Sequence, residues 1–178
     1  MKTQIRIRAF TLIEISVVLF LMAIVSAVVT ASLARTYGVA QMRDVVDALE
    51  HADRLARWEA SDSGRVVLLR VDASEGVVER AFEDDADRDD GAIQEPYRLP
   101  ERFEIERLWV QGSRAPSDAA TIRCTPRGRT PTYGLSVTGP QMQRVAIVVA
   151  GATGQLVEVE DANEAEELFE RLSRRDAD

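Results

Sequence analysis

Glu14 is the one charge in the run FTLIEISVVLFLMAIVSAVVTASLA, Phe10 to Ala34. A carboxylate in such a setting costs about 2.5 to 3.5 kcal/mol at the centre of a bilayer on insertion scales, and less near an end. Glu14 is four residues from the polar boundary at Phe10, and something should compensate it. The nearest cation able to reach it in an apolar layer is an α-amino group at Phe10, which exists only if the chain is cut between Ala9 and Phe10. Within one helix that amine competes with the helix's own geometry. Among parallel copies offset along their axes, the amine of one meets Glu14 of the next. A buried charge is tolerated when paired and heavily penalised when not, so one acid at this depth sets register.

Other chemistry-bearing residues are sparse. Asp85, Asp87 and Asp89 have the spacing that opens an EF-hand loop, but Gly91 falls one place late and Pro96 stands where the closing Glu belongs. A solvated acidic loop is the expected reading, with these three as weak calcium candidates. Arg123, Arg127 and Arg129 gather around Cys124-Thr125-Pro126 and Gly128. They are the candidates for nucleic-acid contact, against the plainer reading of a Gly-Arg turn at a strand edge. His51 is the chain's single histidine and falls on the polar side of a helix, so no His-based metal cluster is expected. Cys124 is the single cysteine, which excludes an internal disulfide; a small buried strand residue is expected. There is no Gly-x-Ser-x-Gly, phosphate loop or metal pair, and neither an enzyme nor a cofactor is expected.

The elements that position these residues begin with the apolar run. Its 25 residues span about 38 Å as a helix, enough to cross a hydrocarbon core of about 30 Å with some tilt. The preceding residues carry Lys2, Arg6 and Arg8 and no acid, which keeps the N-terminus cytoplasmic and sends the rest across. The segments are therefore 1–9 as a leader, 10–34 as the span and 35–178 as one exported domain. The chain of 178 residues carries 22 basic and 30 acidic residues, a net charge of −8. Without Lys2, Arg6 and Arg8 the balance is 19 against 30, or −11. Such a domain repels phosphate backbones overall, so general nucleic-acid affinity is not expected.

Ala9-Phe10-Thr11-Leu12-Ile13-Glu14, followed by about 20 apolar residues, resembles the class III signal of type IV pilins and type II secretion pseudopilins. The resemblance implies cleavage before Phe10, N-methylation of Phe10 by the prepilin peptidase/methyltransferase, and assembly into a filament through the apolar helix. It implies as partners other pseudopilins or pilins and an inner-membrane assembly platform. The family usually has Gly before the cut; this chain keeps a small residue there, Ala9. Two plainer readings compete. A signal anchor leaves Glu14 unexplained, and a removable signal cut after Ser32-Leu33-Ala34 would have an apolar core of about 7 to 15 residues, well short of this one.

Beyond Ala34 the pattern becomes one-sided. Val39, Met42, Val46, Leu49, Ala52 and Ala56 recur at steps of three and four, flanked by Val45, Leu55 and Trp58, with Arg43, Asp44, Asp47, Glu50, Asp53, Arg54, Arg57 and Glu59 between. One helix is predicted from about Thr11 to about Ser61, with Gly38 loosening the junction and Gly64 at its end. Strands follow at 65–72, 77–82, about 102–110, 120–124, 133–137, 143–149 and 155–159, in antiparallel hairpins. Asp161-Ala162-Asn163-Glu164 matches a capping box with Asp in the first place, and Ala165, Leu168, Phe169 and Leu172 form a stripe for a short helix on the sheet.

A long N-terminal helix, an antiparallel sheet and a short C-terminal helix make an α+β class. The phrase from Asp47 to Ala60 with Gly64 to Leu68, and the closing Val148 to Val157, is similar to the GspH/FimT group, which implies a pilin-like fold and a minor pseudopilin of a type II secretion system. The alternatives are a minor type IV pilin, in pilus assembly or DNA uptake, and an anchored periplasmic enzyme or binding module.

Overall fold

The computed structural model describes residues 12–85, 92–113 and 118–175. Helix α1 runs Leu12–Ser63, two residues past the expected end, and Gly64 follows at φ +66°, a conformation that costs glycine nothing. The chain divides into two compact units, Met1–Tyr37 and Gly38–Asp178. In the first unit the large apolar side chains of the helix, Leu12 through Leu33, are exposed. Its hydroxyls fold back: Ser16 Oγ donates to the Leu12 carbonyl at 2.9 Å and Thr30 Oγ1 to that of Ser26 at 2.8 Å.

The second unit contains eight strands: β1 Val67–Asp72, β2 Val77–Phe82, β3 Tyr97–Arg98, β4 Glu104–Val110, β5 Ala119–Cys124, β6 Tyr133–Thr138, β7 Arg144–Val149 and β8 Leu156–Val159. They form two antiparallel sheets, ordered β3-β2-β1-β5 and β4-β6-β7-β8. The expected hairpins β1–β2, β6–β7 and β7–β8 are present. Successive strands β4 and β5 do not pair as a hairpin: β4 joins β6 and β5 crosses to β1. Burial gives the reason. Ile122 and Cys124 on β5 are fully buried, with Ile122 in the cluster of Leu69 and Val71 and Cys124 in that of Val67, Ala56 and Ala60.

Met42, Val45, Val46, Leu49 and Ala52 of α1 share the main core with residues of both sheets. Val39 departs from the expected stripe at 44% exposed, and Trp58, expected on its flank, is 61% exposed. Helix α2, Ala162–Arg175, begins where Asp161 Oδ1 accepts the Asn163 amide at 2.7 Å, a cap that satisfies a first-turn donor. It lays Ala165, Leu168, Phe169 and Leu172 on Ala146 and Val148, as its stripe predicted.

Candidate functional site

The first candidate surface is the apolar length of α1. Exposed aliphatic and aromatic side chains from Leu12 onward surround Glu14, which lies in the helix's first turn. This is the one helix among the described residues long and apolar enough to cross a membrane. A continuous apolar surface of this extent requires lipid or other helices around it. Ala9 and Phe10, the proposed cut and methylation site, lie outside the described residues, so a Phe10–Glu14 pairing has no geometry here.

The second is a polar clamp that holds α1 to the sheet domain's loops. Arg57 Nε donates to Asp53 Oδ2 at 2.7 Å; Nη1 donates to the carbonyls of Gly128 at 3.0 Å and Gly151 at 2.9 Å; Nη2 donates to Thr130 Oγ1 at 2.6 Å. Tyr133 donates its hydroxyl to Asp53 Oδ1 at 2.9 Å. The Asp53 and Arg57 side chains are 6% and 12% exposed, so both charges are nearly dry and satisfied by each other and by fixed acceptors. Burial, with the Asp53 charge adding to it, raises the Tyr133 phenol well above its ordinary range. Two residues further along α1, Glu59 accepts at Oε1 from Arg80 Nη1, and Arg80 Nη2 donates to Gln94 Oε1, both at 2.6 Å.

Asp53, Arg57 and Glu59 fall at the polar positions between the apolar ones in sequence, yet the structure largely buries all three side chains. A signal was present: Asp53 lies four residues after Leu49 and three before Ala56, on the apolar stripe itself, with Arg57 one turn later.

The remaining candidates separate. Asp85 meets Arg65 Nη2 at 2.8 Å and Asp84 meets it at 3.4 Å, so Asp85 already faces a cation; Asp87 and Asp89 lie outside the described residues. Among the described residues, no group of three His, Cys, Asp or Glu could hold a metal. Arg123 makes a two-pronged pair with Glu83, at 2.8 and 2.7 Å, which holds that carboxyl below its usual range. Arg127 and Arg129 are exposed on the loop after β5 and have no ion pair among the described residues. That loop is fixed by Thr125, whose amide and hydroxyl both donate to the Arg129 carbonyl, and by Arg57 on Gly128. His51 is exposed on α1. Cys124 is fully buried, and burial pushes its thiol up to about 11 against the opposing Arg57 charge, the reverse of a reactive thiolate.

No protein-family model and no curated protein matches the sequence. Among solved structures, the chain is similar to the minor pseudopilin EpsH of the type 2 secretion system of Vibrio cholerae. One structure matches with a TM-score of 0.53 and 14% identity over 68% of this chain and 97% of that one. A second matches with a TM-score of 0.53 and 15% identity over 69% and 96%. A helix packed on antiparallel sheets, closed by a short terminal helix, is thus a pilin-like fold, similar to that of EpsH.

Proposed function

We propose that the chain is a structural minor pseudopilin of the GspH/FimT kind in a type II secretion system, and not an enzyme. In this reading residues 1–9 are removed on the cytoplasmic side, Phe10 becomes the methylated N-terminus, residues 10–34 anchor the subunit in the inner membrane, and residues 35–178 form the periplasmic domain. Subunits leave the bilayer by helix-to-helix packing through Leu12, Ile13 and the run to Val29, with the Phe10 amine and Glu14 of neighbouring copies in register. The observation that carries the reading is the joining of an exposed, Glu14-bearing apolar helix to a domain with the fold of EpsH. Deleting the gene in its own host tests it. Loss of secretion, restored by the intact chain, is expected; normal secretion with loss of pilus function would assign the subunit to a type IV pilus instead. Mass spectrometry of the mature chain should find methylated Phe10 first, and a start at Arg35 would end the filament reading.

A further inference from the structure

Helix α2 covers the face of the second sheet that turns away from the main core. Directly opposed strand residues share a face, so Ser136 stands beside Ala146, and Trp109 and Val148 flank Gly134. The Trp109 ring lies along that glycine, where a Cβ would stand 3.3 Å from Cε3 of the indole. The β7 side of this face meets the apolar stripe of α2. The β4–β6 side is polar and unmatched. Trp109 is 5% and Ser136 3% exposed, yet neither the indole Nε1 nor the serine Oγ has a hydrogen-bond partner, and the same holds for Ser173 Oγ near the end of α2. A polar group closed off without a partner loses its hydration and regains nothing in the fold.

The polar ties of α2 to the sheet are slight. Gln111 Nε2 donates to the Ser173 carbonyl at 2.8 Å. Glu166 faces Arg107 at 3.8 Å with both side chains about half exposed, a pair that contributes little in water. Ala165 is the helix's one fully buried residue. Closure therefore sets one apolar stripe against three polar groups stripped of water, and lifting the helix rehydrates all three. Glu160 and Asp161, which join β8 to α2, are both exposed. Asp161 accepts the Asn163 amide through its side chain and the Ala165 amide through its carbonyl, so the cap travels with the helix and a movement at Glu160 leaves α2 intact.

We propose that α2 is a hinged cover, which lifts as one body about Glu160 while both sheets stay folded, and so uncovers Trp109 and Ser136. Hydrogen exchange at single amides of the full chain in detergent tests it. Amides from Glu166 to Arg175 should share one protection, at least tenfold below that of β6 and β7. Protection equal to that of the strands overturns the cover, because α2 then opens only with the whole domain. Protection that climbs stepwise from Arg175 to the strand level at Glu166 also overturns it, since that is fraying of an end. Ser136→Ala removes an unmatched hydroxyl from the closed state alone and should slow exchange across α2 at least threefold; unchanged exchange means that the hydroxyl is hydrated beneath the helix and drives nothing. In a Trp58→Phe background Trp109 is the sole tryptophan. There Leu168→Asp, which breaks the apolar stripe, should raise acrylamide quenching at least threefold with β6 and β7 still protected, and loss of strand protection would show that the helix cannot lift by itself.

Discussion

Arg57 commits its guanidinium to four acceptors at once, and two of them are backbone carbonyls whose positions cannot adjust to a different side chain. Arg57→Ala would leave Asp53 buried with Tyr133 as its remaining charge-stabilising donor in this cluster. Breaking a buried pair from one side costs about 3 to 5 kcal/mol, and Arg57→Lys should recover little because a point charge cannot reach a forked set of acceptors. Urea unfolding of residues 35–178 would measure both, and a loss below about 1 kcal/mol for the alanine variant would show that the clamp is solvated. The same cluster dictates alkaline behaviour. Folding holds Cys124 protonated up to about 11 and Tyr133 protonated well above its ordinary value, whereas the unfolded chain releases these protons near 9 and near 10. The unfolded state therefore binds fewer protons above pH 9, so stability is level below that pH and falls above it. For Cys124 alone the fall amounts to about 2 kcal/mol by pH 11. Cys124→Ala should flatten the decline between pH 9 and 11 in a pH series of unfolding midpoints; an unchanged slope would mean that the thiol is hydrated.

Among the elements, two glycines make opposite predictions. A Cβ at Gly151 would meet the Thr130 carbonyl oxygen at 2.2 Å and the Thr132 amide nitrogen at 2.6 Å, both backbone. Gly151→Ala must move the β7–β8 connection off the Arg57 clamp and should cost about 3 kcal/mol, the upper end of ordinary overpacking. At Gly38 a Cβ would press only on the end of the Gln143 side chain, which can turn away. Gly38→Ala should therefore gain up to about 1 kcal/mol from helix propensity in thermal unfolding of the full chain in detergent. A large loss there would mean that the looser helix expected at Gly38 is needed for stability. The loop carrying Arg127 and Arg129 gives a third. The double alanine variant should unfold within about 0.5 kcal/mol of the parent, since both side chains are exposed. With residues 10–178 at a balance of −11, neither protein should shift DNA mobility at low salt; binding by the parent, lost in the variant, would restore the nucleic-acid reading.

These elements also show which parts of the fold were legible beforehand. α1, α2 and the hairpins β1–β2, β6–β7 and β7–β8 follow from local periodicity and turn residues, which the sequence prints directly. The pairing of β5 with β1 does not, because it is decided by whether Ile122 and Cys124 find a buried face some fifty residues back in the chain. β3 is two residues long and carries no period. Asp53 was misplaced for a chemical reason. An acid is placed outside by its polarity, and only its partners Arg57 and Tyr133, the latter distant in sequence, make its burial tolerable.

For the whole molecule the deciding feature is that α1 is apolar on every side through its first length yet begins with an acid. In lipid a charged acid disfavours insertion, by about 2.5 to 3.5 kcal/mol at the bilayer centre and by less near an end, where Glu14 lies. In the proposed filament, the cation that meets it is the Phe10 amine of a neighbouring copy, freed by the proposed cut after Ala9. Glu14→Ala should therefore separate two properties that fail together in an unfolded or unprocessed protein. The variant should still be cleaved, still fractionate with the membrane and still carry a folded domain. Its entry into filaments should drop by at least tenfold, as read by shearing or cross-linking of overexpressed pili, because the loss of an interfacial charge pair weakens each contact by about 1.4 kcal/mol or more. Glu14→Gln, which keeps shape and hydrogen bonding without charge, should fall between the two. If it assembles as the parent does, the amine–carboxylate pairing is excluded and the acid acts through hydrogen bonding alone.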